Sequence, residues 1–176
     1  MATSKRRDAP AGPVTGPPVD ALDSRAARVA ALDALARRDY ASEDLRRKLL
    51  DKGYAPTIVA DLIERLCSEK LVDDRRYVES FISYRAARGQ GPHRVRADLR
   101  KIGLQGEIVE QGLAAYGDWI ADLQRARQKK FGAQLPTHYA DQQRQARFLG
   151  YRGFTGAQIR LALGFDTDID VDTAET

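Results

Sequence analysis

The sequence predicts an all-α protein made of three tandem three-helix repeats, arranged as an elongated, curved array of short helices. Apolar residues recur at helical spacing along almost the whole chain, and no convincing alternation of the strand kind is found. The hairpin dipeptides Asn-Gly and Asp-Gly are absent. One pattern returns at an offset of 50 residues, which indicates a repeat protein. Because each unit would bury little apolar surface alone, the units are expected to pack on one another in a row.

Two segments show the helical spacing most clearly. Their apolar residues recur one and four positions apart, as on the buried stripe of a helix. They are Tyr77, Val78, Phe81 and Ile82 in one segment, and Ile58, Val59, Leu62, Ile63 and Leu66 in the other.

Residues that begin and end helices divide the chain into short elements. Ser42 is predicted to cap a helix that ends at Gly53, where a left-handed glycine fits. Pro56 suits the first turn of the next helix, and Gly91-Pro92 opens a later helix by the same logic. Thr155 is predicted to cap the last helix.

Five positions of the repeat agree across three copies without a gap. They are Leu49, Leu99 and Leu149; Gly53, Gly103 and Gly153; Tyr54, Leu104 and Phe154; Val59, Val109 and Ile159; and Ile63, Leu113 and Leu163. In each copy, a helix with an inward Leu is followed by a Gly that reverses the chain. The large apolar residue after this Gly can pack back on the helix that it leaves, as in a Schellman-type end.

The leading helix of each unit recurs less regularly. The apolar residues that mark it are Val29, Leu32 and Leu35 in the first unit, Tyr77, Phe81 and Ile82 in the second, and Trp119, Ile120 and Leu123 in the third. We therefore expect repeats at residues 22–72, 73–116 and 117–165. A disordered Pro/Ala-rich leader is expected at 1–21, and a disordered acidic tail at 166–176.

The net charge of +4 is distributed unevenly over the 176 residues. The charged residues after Phe165 are all acidic: Asp166, Asp168, Asp170, Asp172 and Glu175. The remaining body is therefore strongly basic, which suits a partner rich in phosphate or carboxylate, and solvated helix faces explain the charge about equally well. The single cysteine, Cys67, excludes an internal disulfide, and no apolar run reaches the roughly 18 residues of a membrane span. We expect a cytoplasmic protein.

Three stretches of the chain resemble the RecX family. The segment Leu-Ala-Arg-Arg-Asp-Tyr at 35–40, followed by Ser-Glu-Asp-Leu-Arg-Arg-Lys-Leu at 42–49, is similar to the opening motif of RecX proteins. The run from Lys70 to Tyr77 is similar to that family's junction between its first two repeats. The stretch from Arg85 to Gly103 resembles the family's most characteristic segment, and the resemblance extends over about residues 24–165.

The RecX resemblance implies a function that composition alone does not reach. Proteins of this family bind the RecA recombinase, lodge in the helical groove of its nucleoprotein filament, and limit filament growth, strand exchange and ATP hydrolysis. The resemblance thus implies a role in DNA repair, DNA recombination and the SOS response, with the RecA filament as partner. It implies a regulator that is not an enzyme and holds no cofactor or metal. We expect it to act as a monomer, away from membranes.

Basic residues of the middle unit form the candidate site for RecA, for DNA in the filament, or for both. Val95, Leu99 and Ile102 should point inward, which leaves the cations of the same helix near solvent. The candidates in this unit are Arg85, Arg88, Arg94, Arg96, Arg100 and Lys101; those at corresponding places in the outer units are Arg46, Arg47, Lys48, Arg144 and Arg147. Guanidinium groups suit carboxylate and phosphate partners because they donate in a fixed fork. A solvated face with incidental arginines is the competing interpretation.

A helical-repeat protein that binds single- or double-stranded DNA without RecA is the alternative from another class. The helix, Gly turn and helix at 45–66 loosely resemble a helix-turn-helix, although many helical hairpins share that turn. Tyr77, Phe81 and Trp119 lie at core spacing and do not alternate with basic residues, which disfavours a protein that binds free single strands.

An enzyme is the third hypothesis, and the residue pattern disfavours it. His93 and His138 lack metal-ligand spacing, and the chain contains no P-loop. Asp73 and Asp74 fit the start of a helix better than a catalytic carboxylate pair.

Overall fold

Helix-forming segments alternate with short turns throughout residues 21–164, the part of the chain that the structure, a computed structural model, describes. These residues form nine α-helices and no strand. The predictions of a disordered leader and a disordered acidic tail fall almost entirely on residues 1–20 and 165–176, which lie outside this range.

The nine helices group in threes along the chain. The first repeat contains α1 (Ser24–Leu35), α2 (Ser42–Asp51) and α3 (Pro56–Ser68). The second contains α4 (Asp74–Ala87), α5 (Pro92–Lys101) and α6 (Glu107–Ala115). The third contains α7 (Trp119–Phe131), α8 (Tyr139–Tyr151) and α9 (Gly156–Leu163). This order confirms the predicted fold class, whereas the limits of the repeats at 72/73 and 116/117 stay a prediction.

The second helix of every repeat ends in the same way. Gly53, Gly103 and Gly153 have φ angles of 92°, 91° and 87°, a region that glycine enters without steric cost. The amide of the next residue then donates to the carbonyl of Leu49, Leu99 or Leu149, at 3.3, 3.0 and 3.2 Å. The leucines and the large residues Tyr54, Leu104 and Phe154 are all buried. The predicted Schellman-type ends are therefore confirmed in all three copies.

The third repeat departs from this pattern at one buried position. Leu45 and Val95 are fully buried in α2 and α5, but the corresponding residue of α8 is Gln145, which is also buried. Arg127 of α7 is buried beside it and donates to the Gln145 side-chain oxygen at 3.4 Å. Arg127 also donates to the carbonyls of Gln134 and Ala133, at 2.9 and 2.8 Å, and so holds the long α7–α8 connection against the repeat.

The apolar residues that mark the leading helix α1 are only partly on its inner face. Val29 and Leu32 are 54% and 38% exposed, whereas Leu35 is partly buried against the core of the first repeat. The buried residues of α1 are instead Ala27, Ala31 and Ala34. Alanines let this helix approach α2 and α3 closely, so the sequence rule that places the largest apolar residues inside is wrong here.

Two of the three predicted side-chain N-caps are confirmed, and Pro56 and Pro92 occupy the first turns of α3 and α5 as expected. Asp73 caps α4 by accepting from the amide of Arg76 at 3.1 Å, and Thr155 forms a capping box with Gln158 at the start of α9. Ser42 does not cap α2, whose N-cap is Ala41. The amide and hydroxyl of Ser42 donate instead to the carboxylate of Asp74, at 2.8 and 2.6 Å, so an acid of the second repeat satisfies the start of a helix in the first.

Buried apolar residues form two cores rather than a single continuous one. The first repeat closes its own core around Leu45, Leu49 and Leu66. The second and third repeats share a core that includes Leu99 and Leu149. The expectation that every unit depends on its neighbours for burial is therefore wrong for the first repeat, because the apolar faces of α1, α2 and α3 cover one another.

The seam between the second and third repeats is made by backbone. The amide of Gly91 donates to the carbonyl of Arg152 at 2.8 Å, and that of His93 donates to Gly153 at 3.0 Å. A Cβ atom at position 91 would lie 2.2 Å from the amide nitrogen of Phe154, so glycine is required for this approach.

The seam between the first and second repeats relies on side chains. In addition to the hydrogen bonds of Asp74, Arg47 donates to the carbonyl of Lys101 at 3.5 Å. The Gly103 turn faces the side chain of Glu43. Alanine occupies position 41, which corresponds to Gly91 of the second repeat, and the two seams are built differently.

Candidate partner-binding surface

Helix α5 positions the central candidates. Val95 and Leu99 are completely buried on its inner side, which turns Arg94 and Arg100 toward solvent. Pro92 occupies the first turn of the helix and is itself buried. The last turn carries Arg100 and Lys101, whose charges favour the negative end of the helix dipole.

Half of the candidates in the middle repeat form ion pairs with acids of the same repeat. Arg96 binds Glu110 through two hydrogen bonds of 2.7 and 2.8 Å, which lower the pKa of the Glu110 carboxyl. Arg85 and Lys101 both approach Asp98, with N–O distances of 3.4 and 3.3 Å. These cations are partly neutralised before any partner arrives.

The other three candidates, Arg88, Arg94 and Arg100, have no carboxylate partner among residues 21–164. All three are exposed. The guanidinium carbon of Arg88 lies 4.5 Å from the centre of the exposed Tyr84 ring, which fixes its direction. These three arginines are therefore the members of the predicted face whose charge is available to a partner.

The candidates of the outer repeats are mostly engaged within the chain. Arg46 pairs with an acid on its own helix at 3.1 Å, Arg47 binds the Lys101 carbonyl, and Lys48 lies 5.6 Å from the centre of the Tyr40 ring. In the third repeat, Arg144 pairs with Asp141 at 3.0 Å. Arg147 is exposed on α8.

Sequence reasoning missed a second group of cations at the seam of the second and third repeats. Together with Arg88 they line a cleft of about 610 Å³ between the end of α4 and helices α7 and α8, which we call the seam cleft. The other cations that line it are Arg125, Lys129, Lys130 and Arg152. Arg125 and Lys129 lie four positions apart on one face of α7, a spacing that could have signalled this group.

One carboxylate also lines the seam cleft, and it is fully engaged. Asp122 is 1% exposed, accepts from the Tyr116 hydroxyl at 2.5 Å and pairs with Arg125. Burial and the hydrogen bond to this carboxylate raise the pKa of Tyr116 to about 12. The buried charge of Asp122 is therefore compensated locally.

Residues 21–164 contain no group of three or more His, Cys, Asp or Glu side chains that could hold a metal ion. The imidazole of His93 faces Arg96 at 3.5 Å. Cys67 is half-buried, and burial raises the pKa of its thiol. No helix in the described range is long and apolar enough to cross a bilayer.

The fold and its surface define a class: a tandem helical-repeat protein with unpaired exposed arginines and a positively charged seam cleft. Family models for the first, second and third three-helix domains of RecX match residues 27–66, 73–113 and 118–163. The chain belongs to the RecX family, a family of regulatory proteins.

Relatives and a solved structure agree with this assignment. The chain is 43% identical to regulatory protein RecX of Pseudomonas syringae pv. tomato over 130 residues, which cover 73% of this chain and 84% of the relative. It is 40% identical to regulatory protein RecX of Halorhodospira halophila over 140 residues, or 79% and 87% of the two chains. The crystal structure of RecX from Lactobacillus salivarius has the same fold, with a TM-score of 0.70 at 21% identity over 81% of this chain and 95% of that one.

Proposed function

We propose that this protein binds the RecA nucleoprotein filament in its groove, as an extended monomer, and inhibits or modulates the ATPase and recombinase activities of RecA. Membership of the RecX family supports RecA as the partner. A row of helical repeats offers a long surface that suits a polymeric partner. On this proposal the protein performs no chemistry, and the ATP is hydrolysed by RecA.

The observation that carries the proposal is the exposure of Arg88, Arg94 and Arg100 without carboxylate partners within the described residues. Cations left unpaired on a folded surface are available to steer and orient a charged partner. The paired cations Arg85, Arg96 and Lys101 of the same repeat would contribute less, because a partner would have to compete with Asp98 and Glu110.

Charge reversal of these three arginines tests the proposal. The triple variant Arg88→Glu, Arg94→Glu, Arg100→Glu breaks no ion pair of the described structure, so we expect it to fold. Like charges at an interface cost several kcal/mol, so the concentration that half-inhibits the DNA-dependent ATPase of RecA should rise by about tenfold or more.

A matched control separates the site from net charge. Arg25, Arg37 and Arg65 are exposed residues of the first repeat without ion pairs in the described range, and changing them to Glu alters the charge equally. The control should inhibit RecA nearly as well as the wild type. Equal inhibition by the folded site variant would remove the site assignment.

Binding of DNA without RecA is the competing function. It predicts retention of the protein on bare DNA together with an unchanged RecA ATPase. The RecX proposal predicts instead that the protein changes RecA turnover at salt concentrations that abolish its weak binding to bare DNA.

A further inference from the structure

Apart from Arg88, the residues that line the seam cleft take no part in the proposed contact with RecA. The floor of the cleft is formed by small residues, because the left-handed Gly89, with a φ of 73°, lies close to Ala126 of α7. A Cβ atom on Gly89 would lie 2.8 Å from that of Ala126. The end of α4 can therefore approach α7 while open space remains above the small residues.

Five of the ten residues that line the seam cleft are cations, and only one is an acid. Arg88, Lys129, Lys130 and Arg152 have no carboxylate partner among residues 21–164, and Arg125 compensates the buried Asp122. Four like charges around one cleft repel one another, and low-dielectric walls focus their field on an anion that enters.

The arginines of the cleft are held in fixed directions before any ligand binds. Arg152 donates to the carbonyls of Arg88 and Gly89 at 3.0 and 3.4 Å and lies over the Phe148 ring, 5.0 Å from its centre. Arg125 is fixed by Asp122. Such preorganised forks suit the oxygens of phosphate groups.

A second hollow continues the cleft on the far side of Arg152. It measures about 300 Å³ and is lined by Gln90, Arg94 and Tyr151 together with the shared Phe148 and Arg152. Tyr151 is 82% exposed, so its ring is accessible to a ligand. The two hollows form a track in which positive charge is followed by an aromatic ring.

We propose that the seam cleft is a binding site for linked phosphate groups, as in a nucleoside polyphosphate or the backbone of a single-stranded nucleic acid. Several phosphates in a row would satisfy the four unpaired cations, which a single carboxylate would not. The exposed ring of Tyr151 is placed to stack on a base attached to such a chain. The site does not require RecA.

Binding of two probes to the full-length chain tests this site. The probes are tripolyphosphate and a fluorescent oligothymidylate of about 15 nucleotides, a length that suits one single-strand site. Anisotropy should show that the oligothymidylate binds and that tripolyphosphate displaces it. If binding of the oligothymidylate depends on Lys129 and Lys130 but tripolyphosphate does not displace it, the source of the phosphates is a nucleic acid strand.

The double variant Lys129→Gln, Lys130→Gln identifies the cleft. Both lysines are exposed and make no ion pair in the described range, so the variant should keep the fold. The Kd for the oligothymidylate should rise about tenfold, because two phosphate contacts are lost. The control Lys52→Gln, Lys70→Gln removes the same charge from exposed positions of the first repeat and should change the Kd by less than about twofold.

Ala87→Glu provides a second variant, because Ala87 lines the cleft and is exposed. The introduced carboxylate should raise the Kd for the oligothymidylate by a similar factor. Three results would overturn the site: no binding of either probe, equal losses in the two lysine pairs, or displacement by an oligo-aspartate and not by tripolyphosphate. RecA is absent from all of these measurements, so their outcome is independent of the proposed function.

Discussion

The buried polar side chains within the described range are Asp122, Arg127 and Gln145, and all of them belong to the third repeat. Each has partners: Tyr116 and Arg125 for Asp122, and loop carbonyls and Gln145 for Arg127. Buried charge is costly unless it is paired, so these contacts are conditions for the third repeat to fold. They also explain why this copy matches the repeat pattern less well than the others.

The hydroxyl of Tyr116 tests this network at a single atom. Tyr116→Phe removes one partner of a buried carboxylate and should lower the free energy of unfolding by about 1–3 kcal/mol at pH 7. The folded pKa is raised to about 12, so the stabilising effect of the phenol is complete below its ordinary pKa of about 10 and is lost between pH 10 and 12. Urea denaturation of both proteins from pH 7 to 12 measures this difference. A difference that stayed constant up to pH 12 would contradict the role given to the hydrogen bond.

Residues of this kind mark the limit of what the sequence could predict. The columns of Leu49, Gly53 and Tyr54 are local patterns with a local physical cause, and the structure confirms them. Arg127 is a cation that folding buries, and its partners are visible only when the loop and α8 come together. The charge of the seam cleft likewise arises from α4, α7 and α8, which are separated along the chain.

At the scale of the elements, the turn that follows the second helix of one repeat packs against the start of the second helix in the repeat before it. The turn at 152–154 binds the backbone at 91–93, whereas the turn at 101–103 faces the side chains of Glu43 and Arg47. One seam is thus fixed by main-chain hydrogen bonds and the other by flexible side chains. The two seams also differ in residue type, with glycine at 91 and alanine at the corresponding position 41.

Gly91→Ala should open the tighter seam. Its Cβ would lie 2.2–2.3 Å from backbone atoms of Gly153 and Phe154, which cannot move as a side chain would. Overpacking of this kind costs about 1–3 kcal/mol, and the loss of the two amide hydrogen bonds adds to it. Gly117→Ala is the control, since nothing lies within 4 Å of its Cβ position, and it should be neutral. Equal melting temperatures for the two variants would show that the seam is not closed by this contact.

The sequence predicted the elements better than their packing. The helix ends at Gly53, Gly103 and Gly153 follow from the left-handed conformation that glycine favours. The inner face of α1 is formed by alanines that pack by close approach, which a rule based on large apolar residues does not detect. The joining of the second and third repeats depends on Gly91, which the sequence indicated only as a helix start.

At the scale of the whole molecule, two cores predict two units of stability. The first repeat has its own core, and the second and third share the other. The contacts between these units are side-chain hydrogen bonds such as those from Ser42 to Asp74, together with Ala41, which packs in the shared core. A partner that spans all three repeats would therefore contact two repeats that share a core and one repeat that has its own.

Hydrogen exchange of two core variants tests this division. Leu49→Ala and Leu149→Ala remove buried leucines from the two cores, and each should cost about 2–5 kcal/mol. Leu49→Ala should accelerate exchange in residues 24–68 and spare the rest of the described helices. Leu149→Ala should accelerate exchange in the second and third repeats together. Uniform acceleration by either variant would show that the chain unfolds as one unit.

The central proposal is that the repeats bind RecA when it is assembled on DNA. Co-sedimentation tests it most directly: the protein is centrifuged with RecA-coated single-stranded DNA and with the same DNA bare, at about 200 mM salt, where electrostatic binding to DNA alone is weak. The wild type should pellet with the RecA filament and remain in the supernatant with bare DNA, and the Arg88, Arg94 and Arg100 charge-reversal variant should remain in the supernatant with both. Pelleting with bare DNA only, or with neither, would contradict the proposal.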